Sequence, residues 1–223
     1  MPTDYEKYIR TDEILALQKP PDQRVNPEEL LFQVIHQTAE LWMKLVENEL
    51  QRAAEMIDRD ELGHATHLVR RCAAVFDHLA RQLPLLESMA PADYHVIRLN
   101  ALGKGSGQES PGFNRLLQRL PAFWPHAEKL LARRSLALAD VFRSPHKHDV
   151  LWQLLQAMMQ ADENFQSFRY HHFHLVKRII GDQVKSLKNV PASALAPTTT
   201  EAVFPALWQA VNDLTRAISP QYG

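Results

Sequence analysis

The chain has 223 residues, 45% of them hydrophobic and 23% charged, which is enough for one sizeable core and ordinary for a folded globular protein. Its 25 Lys+Arg against 26 Asp+Glu leave a formal net charge of −1, so there is no electrostatic case for nucleic acid or an anionic membrane as the main partner. The single cysteine, Cys72, can form no internal disulfide, no segment approaches the roughly eighteen consecutive apolar residues of a membrane span, and residues 1–6 are too acidic and polar for a secretory signal; a cytoplasmic protein is expected.

Only 7 glycines occur, no segment alternates with strand period, and helix-period segments fill most of the length, so the expected fold is all-α, as one domain over residues 1–223. Tyr5, Tyr8, Ile9, Ile14 and Leu15 make a short amphipathic start, which ends in the polar, proline-bearing connection 19–23. A long helix then opens on Asn26, Pro27 and Glu29, as cap, first helical residue and third position of a capping box, and runs to about Arg59. Leu31, Val34, Ile35, Thr38, Leu41, Trp42 and Leu45 recur at steps of three and four, and this stripe is expected to face a core. Phe32 and His36 stand one turn apart on its edge, where a histidine either caps a buried hydrogen-bond network or lines a site.

Residues 62–83 form a second helix with core positions Leu68, Val69, Cys72, Val75, Phe76 and Leu79. Pro91 opens a third, on which Tyr94 and Arg98 project together, as an exposed arginine lying on a tyrosine ring or as a paired binding element. Residues 116–138 and 150–165 supply further helices, separated by a break at 144–149 whose His146 and His148 are read as solvated. The stretch 168–181 suits a helix stopped by Gly181. Its His171, His172 and His174 point to different faces, so they cannot readily ligate one zinc ion, and no HExxH pair is present.

Leu31-Phe32 followed by residues 36–45, His-Gln-Thr-Ala-Glu-Leu-Trp-Met-Lys-Leu, resembles without a gap the first-helix motif of the tryptophan 2,3-dioxygenase family. The resemblance extends to Tyr94-x-x-x-Arg98, to the turn Leu102-Gly103-Lys104-Gly105-Ser106-Gly107-Gln108-Glu109-Ser110, and to Arg169-Tyr170-His171-His172 with Arg178 and Gly181. It implies a helical bundle enclosing a b-type haem, with O2 as co-substrate and a small aromatic substrate. By that likeness His172 is the axial ligand of the iron, with His171 as its rival. His36 is the catalytic distal residue, expected as a hydrogen-bond donor toward O2. Phe32 and Tyr94 line the substrate, and Arg98 clamps its carboxylate, a task that suits guanidinium geometry. Ser106, Gly107 and Trp42 are expected against the cofactor. Residues 1–20, with Tyr5 and Tyr8, are expected to close the pocket of a neighbouring subunit, which implies a homo-oligomer, a dimer or tetramer.

Three departures stand out. Gln108 and Glu109 replace an aromatic residue and a glutamine usual in the family, and the connection beyond Gly107 is shorter than in a full-length member. Where the family carries a Gly-Thr-Gly-Gly loop that helps hold the amino-acid end of the substrate, residues 182–191 contain no glycine. The leading expectation is a haem-dependent oxygenase of an indole or aromatic amino acid, with L-tryptophan the first compound to consider. The alternatives are a related mono-oxygenase of a modified tryptophan, an indole or a tyrosine, and a non-catalytic haem sensor.

Overall fold

The computed structural model describes residues 1–103, 105, 107–183, 193, 196–219 and 221, with Gln108 described in its backbone only. Among the described residues there is no strand. Two short helices, α1 (Asp4–Ile9) and α2 (Thr11–Leu15), lead through a 3-10 turn at Pro21–Gln23 into α3 (Glu29–Asp58). Then follow α4 (Leu62–Glu87), α5 (Pro91–Asn100), a 3-10 turn at Gly107–Glu109, α6 (Pro111–Arg133), α7 (Leu138–Arg143), a 3-10 turn at Pro145–His148, α8 (Asp149–Ile179) and α9 (Pro205–Ile218). No helix among the described residues is long and apolar enough to cross a membrane.

The core lies between the four long helices. α4 is sandwiched between α3 and α8, α6 packs on α3, α5 touches α8, and α9 lies on α7. Phe76, Leu79, Leu154 and Phe165 are among its fully buried side chains, each stabilising the fold by about 1.5–3 kcal/mol over an exposed position.

Several expectations are corrected. The apolar stripe of α3 does not all face inward: the buried line is Ile35, Met43, Val46, Leu50, Ala53 and Ile57, while Val34, Leu41 and Trp42 are exposed. Large apolar residues on two adjoining faces made the stripe too broad to aim; Met43, against which Gly112 of α6 packs closely, marks the face that is used. The helix start also differs. Asn26 Oδ1 accepts the Glu28 N–H at 2.9 Å, but Glu29 turns its carboxylate back to the Val25 N–H at 2.8 Å and to Lys19 at 2.7 Å, so the regular helix begins at Glu29. Residues 150–165 and 168–181 belong to one helix, because nothing in Gln166-Ser167 breaks it. Helix α4 continues past the expected end through Pro84, whose missing N–H costs only one bond in the last turn. The segment read as one helix over 116–138 divides at Ser135, which takes a positive φ of 50°. Helix α9 had no counterpart in the sequence reading. Gly181, at φ 94°, does end α8.

Candidate active site

The site is built from α3, α5, the Gly107–Glu109 turn and α8. On α3 the rings of Phe32 and His36 lie 4.0 Å apart and 30° from parallel, as side chains one turn apart can. His36 Nδ1 is 2.7 Å from the Phe32 carbonyl oxygen. A carbonyl only accepts, so Nδ1 carries the proton and neutral His36 offers Nε2 as an acceptor. This changes the role expected of it: His36 becomes a donor from Nε2 only when protonated, and burial lowers its pKa, with the Phe32 carbonyl and the Glu40 charge acting against that.

Helix α5 is tied to the start of α3 by the Asn26 amide, which donates to Asp93 at 2.9 Å, and Ile97 buries its inner face. That places Tyr94 with its ring 6.3 Å from Phe32. Burial raises the Tyr94 pKa, with the Arg98 charge opposing, so the phenol stays protonated. Arg98 is half-buried, and its guanidinium forms no ion pair among the described residues.

His172 faces this group from α8. Phe168, one turn earlier, sets its ring 6.4 Å away and continues into Phe113 and Phe165, an aromatic wall behind the imidazole. Burial, and then the opposing charge of a protonated His36, push the His172 pKa down to about 4, so it is neutral at pH 7. No hydrogen bond to it arises among the described residues. Gly107 approaches closely enough that a Cβ there would stand 3.9 Å from His172 Nε2, and a larger side chain would crowd that nitrogen. The other two histidines turn elsewhere. His171 Nδ1–H donates to the Ser167 carbonyl at 2.8 Å and is exposed; His174 stacks on Tyr170, with centroids 4.3 Å apart, and is exposed too. No group of three His, Cys, Asp or Glu residues among the described ones could hold a metal ion, and what α8 offers is one neutral imidazole nitrogen.

The structure thus brings Phe32, His36, Tyr94, Gly107 and His172 to one locality, with Arg98 a turn beyond Tyr94. It does not bring Trp42 there: that ring packs edge-on against His78 of α4, 5.1 Å away, on another face of α3 from His36. Tyr5 and Tyr8 stand on α1, 70% and 88% exposed. Ser106 lies outside the described residues. Two surface hollows, one about 490 Å³ beside Asp60 and Arg134 and one lined by Glu87, His174, Lys177 and Arg178, contain no residue of the site.

Sequence reasoning passed over the residues that hold the edges. Gln33 accepts the Lys19 N–H at 2.9 Å and Gln37 the Gln18 side-chain amide at 2.6 Å, so residues 17–19 are strapped along α3 beside Phe32 and His36. Glu40 binds Ser110 and the Gly112 N–H. The available signal was their spacing, since Gln33, Gln37 and Glu40 bracket His36 at helical steps.

A family model described as tryptophan 2,3-dioxygenase matches residues 2–122. The tryptophan 2,3-dioxygenase of Polaromonas sp. (strain JS666) is 29% identical over 262 residues, which cover 94% of this chain and 87% of the relative. That of Cupriavidus necator is 28% identical with the same coverage, and that of Shewanella woodyi is 24% identical over 256 residues, 92% of this chain and 88% of the relative. The aligned spans exceed the 223 residues of this chain, so the relatives carry extra residues within them. The matched model spans α1 to the first half of α6, with Phe32, His36, Tyr94, Arg98 and Gly107 inside it, and the relatives extend the likeness over nearly all of the rest: the chain belongs to the tryptophan 2,3-dioxygenase family.

Proposed function

We propose that this chain binds a b-type haem through His172 and inserts oxygen from O2 into the ring of an indole or related aromatic amino acid. Family membership makes it an oxidoreductase of the dioxygenase kind. The observation that carries the finer reading is the convergence of two imidazoles from helices far apart in sequence. His172 is half-buried, neutral and free of hydrogen bonds among the described residues, and opposite it His36 has its tautomer fixed by a backbone carbonyl. An axial bond to iron would use an imidazole nitrogen that no described residue engages. The glycine at 107 keeps the approach to that nitrogen clear. Bound there, haem would supply the iron at which O2 is activated, and no added reductant is needed when both oxygen atoms enter the substrate.

The chain's own residues then do the positioning. Phe32 and Tyr94 offer ring faces to an aromatic substrate, and His36 Nε2 accepts a hydrogen bond from a ring N–H such as that of indole. Arg98, without an ion pair among the described residues, presents a fork of donors to a carboxylate. The N-terminal helices are the natural contribution to a second copy, because Tyr5, Tyr8 and Leu15 are exposed on them. On this reading residues 1–223 act as one domain within a homo-oligomer.

The altered sequence at 182–191, of which 184–191 lie outside the described residues, favours a second reading on the same site, a mono-oxygenase acting on a derivative of tryptophan or another aromatic. Turnover under 18O2, run with and without an added two-electron reductant, which only the mono-oxygenase needs to reduce its second oxygen atom to water, separates the two. The leading reading predicts two labelled atoms in the product and the second predicts one; a haem-loaded protein that transforms none of L-tryptophan, methylated tryptophans, tryptamine, indole and L-tyrosine would overturn both. L-Tryptophan itself is expected to lag behind the best of these by about one to two factors of ten, the loss of roughly 1–3 kcal/mol for a missing contact.

A further inference from the structure

Glu40 takes no part in the reading above, yet its carboxylate joins the helix of His36 to the segment that carries Gly107. The Ser110 hydroxyl donates to Glu40 Oε1 at 2.5 Å, and the Gly112 N–H donates to Oε2 at 2.9 Å. Ser110 is at the same time the N-cap of α6, where its Oγ accepts the Phe113 N–H at 3.1 Å. Gly112 permits the approach: a Cβ there would stand 2.7 Å from Glu40 Oε2 and 3.0 Å from Met43 Cβ, so a side chain would displace the Glu40 carboxylate and press on Met43. On the other side of Ser110 the chain turns at once into the site, with the Ser110 N–H donating to the Gly107 carbonyl at 3.3 Å. Gly107 in turn is the backbone that approaches His172 Nε2.

We propose that Glu40 is a positioning residue: by holding Ser110 and Gly112 it sets how close the Gly107 turn lies to His172, and so the width of the gap between the His36 and His172 helices. The proposal rests on the site reading above but has its own readout. A plain staple between α3 and α6 would add stability and stop there. A positioning junction transmits, so that disturbing it changes the surroundings of His172, which Glu40 does not touch. Two acceptor oxygens are needed, one for each donor. Glu40→Gln keeps the length but replaces one acceptor oxygen by an amide that only donates, which either faces the Gly112 N–H donor to donor or reverses the hydrogen bond with the Ser110 hydroxyl; Ser110→Ala keeps the charge beside His36 and removes both the donor to Glu40 and the cap acceptor of the Phe113 N–H.

The test is made on the full-length protein, first without haem. The 1H–13C imidazole signals of His172, assigned by comparison with His172→Gln, are recorded for the parent, Glu40→Gln, Glu40→Asp and Ser110→Ala, together with amide exchange over 107–113. We expect the His172 signal to move in all three variants, including Ser110→Ala where no charge has changed, and exchange at 107–113 to quicken by about tenfold in Glu40→Gln. The double variant Glu40→Gln/Ser110→Ala should move the signal no further than Glu40→Gln alone. In haem-loaded protein the infrared band of the ferrous CO complex should shift or broaden in the same variants. A His172 signal unmoved in Ser110→Ala and Glu40→Asp, with only melting temperature reduced, would show a plain staple and overturn the proposal. Should Glu40→Gln fail to fold, Glu40→Asp decides, since it leaves the Ser110 cap of α6 in place. If the parent takes up no haem while the His172 signal still responds, the junction stands and the haem reading falls.

Discussion

Helix α8 carries two polar centres, one buried and one half-buried, that are treated in opposite ways. Asp162 is 1% exposed, and its carboxylate accepts from the Val203 N–H at 3.0 Å, the Phe204 N–H at 2.9 Å, the Trp208 indole N–H at 2.9 Å and the Gln166 amide at 2.8 Å. The protein replaces the water of that charge completely, and in doing so fastens the start of α9 to α8. His172, farther along the same helix, receives no hydrogen bond among the described residues and is held neutral instead. A satisfied buried group is architecture; an imidazole kept neutral and without a protein partner among the described residues is open to a ligand, as proposed above. Arg169 stands between the two cases. Its Nη2 donates to the Glu201 carbonyl and its guanidinium lies 4.9 Å over the Phe165 ring, but its Nε is buried without a partner, and burial lowers its pKa.

The contrast can be broken at its strongest point first. Asp162→Ala strands the Val203, Phe204 and Trp208 donors and leaves buried Arg169 without its nearest countercharge, so a loss of about 3–5 kcal/mol is expected in denaturant melts. His172→Ala in haem-free protein should cost less than about 1 kcal/mol, since it removes no satisfied hydrogen bond. Equal losses from the two variants would erase the distinction between them.

Next in size is Arg98→Leu, which should leave haem content intact and raise KM through the loss of about 2–4 kcal/mol of charge-assisted pairing. An unchanged KM would mean that the substrate has no carboxylate or binds it elsewhere.

A smaller effect comes from pH. The folded pKa of His172, about 4, lies below the ordinary histidine value of 6.5, so on acidification the unfolded chain takes up the proton first. The stability of the haem-free protein is therefore full above about pH 6.5 and declines as pH falls toward 4, by about 2 kcal/mol from this group once the partial accessibility of the ring is allowed for. His172→Ala should flatten that part of the pH–stability curve. An identical slope in parent and variant would show that His172 is not held neutral.

Much of this was legible in the chain before any fold was known, and the reasons differ by residue. Helical period, few glycines and Gly181 sufficed for an all-α fold and the end of α8, because those signals are local. His172 and His36 were singled out through motif likeness, whereas their juxtaposition is a tertiary fact. The Nδ1 tautomer of His36 depends on a carbonyl one turn back, which no residue type announces. Trp42 sits inside the same motif but turns toward His78, since membership of a motif does not say which face a side chain takes. Glu40 and Asp162 escaped notice because a carboxylate on a helix reads as a solvated one until its donors, seventy or forty residues away in the chain, are placed beside it.

The central claim is that His172 is the single axial ligand, and titration of the purified protein with haem tests it most directly. Followed at the Soret band, the parent should take up one haem per chain, His171→Ala should match it, and His172→Ala should bind weakly or not at all. Retention in His172→Ala with loss in His171→Ala, or a parent that stays colourless after haem is supplied, would contradict the account.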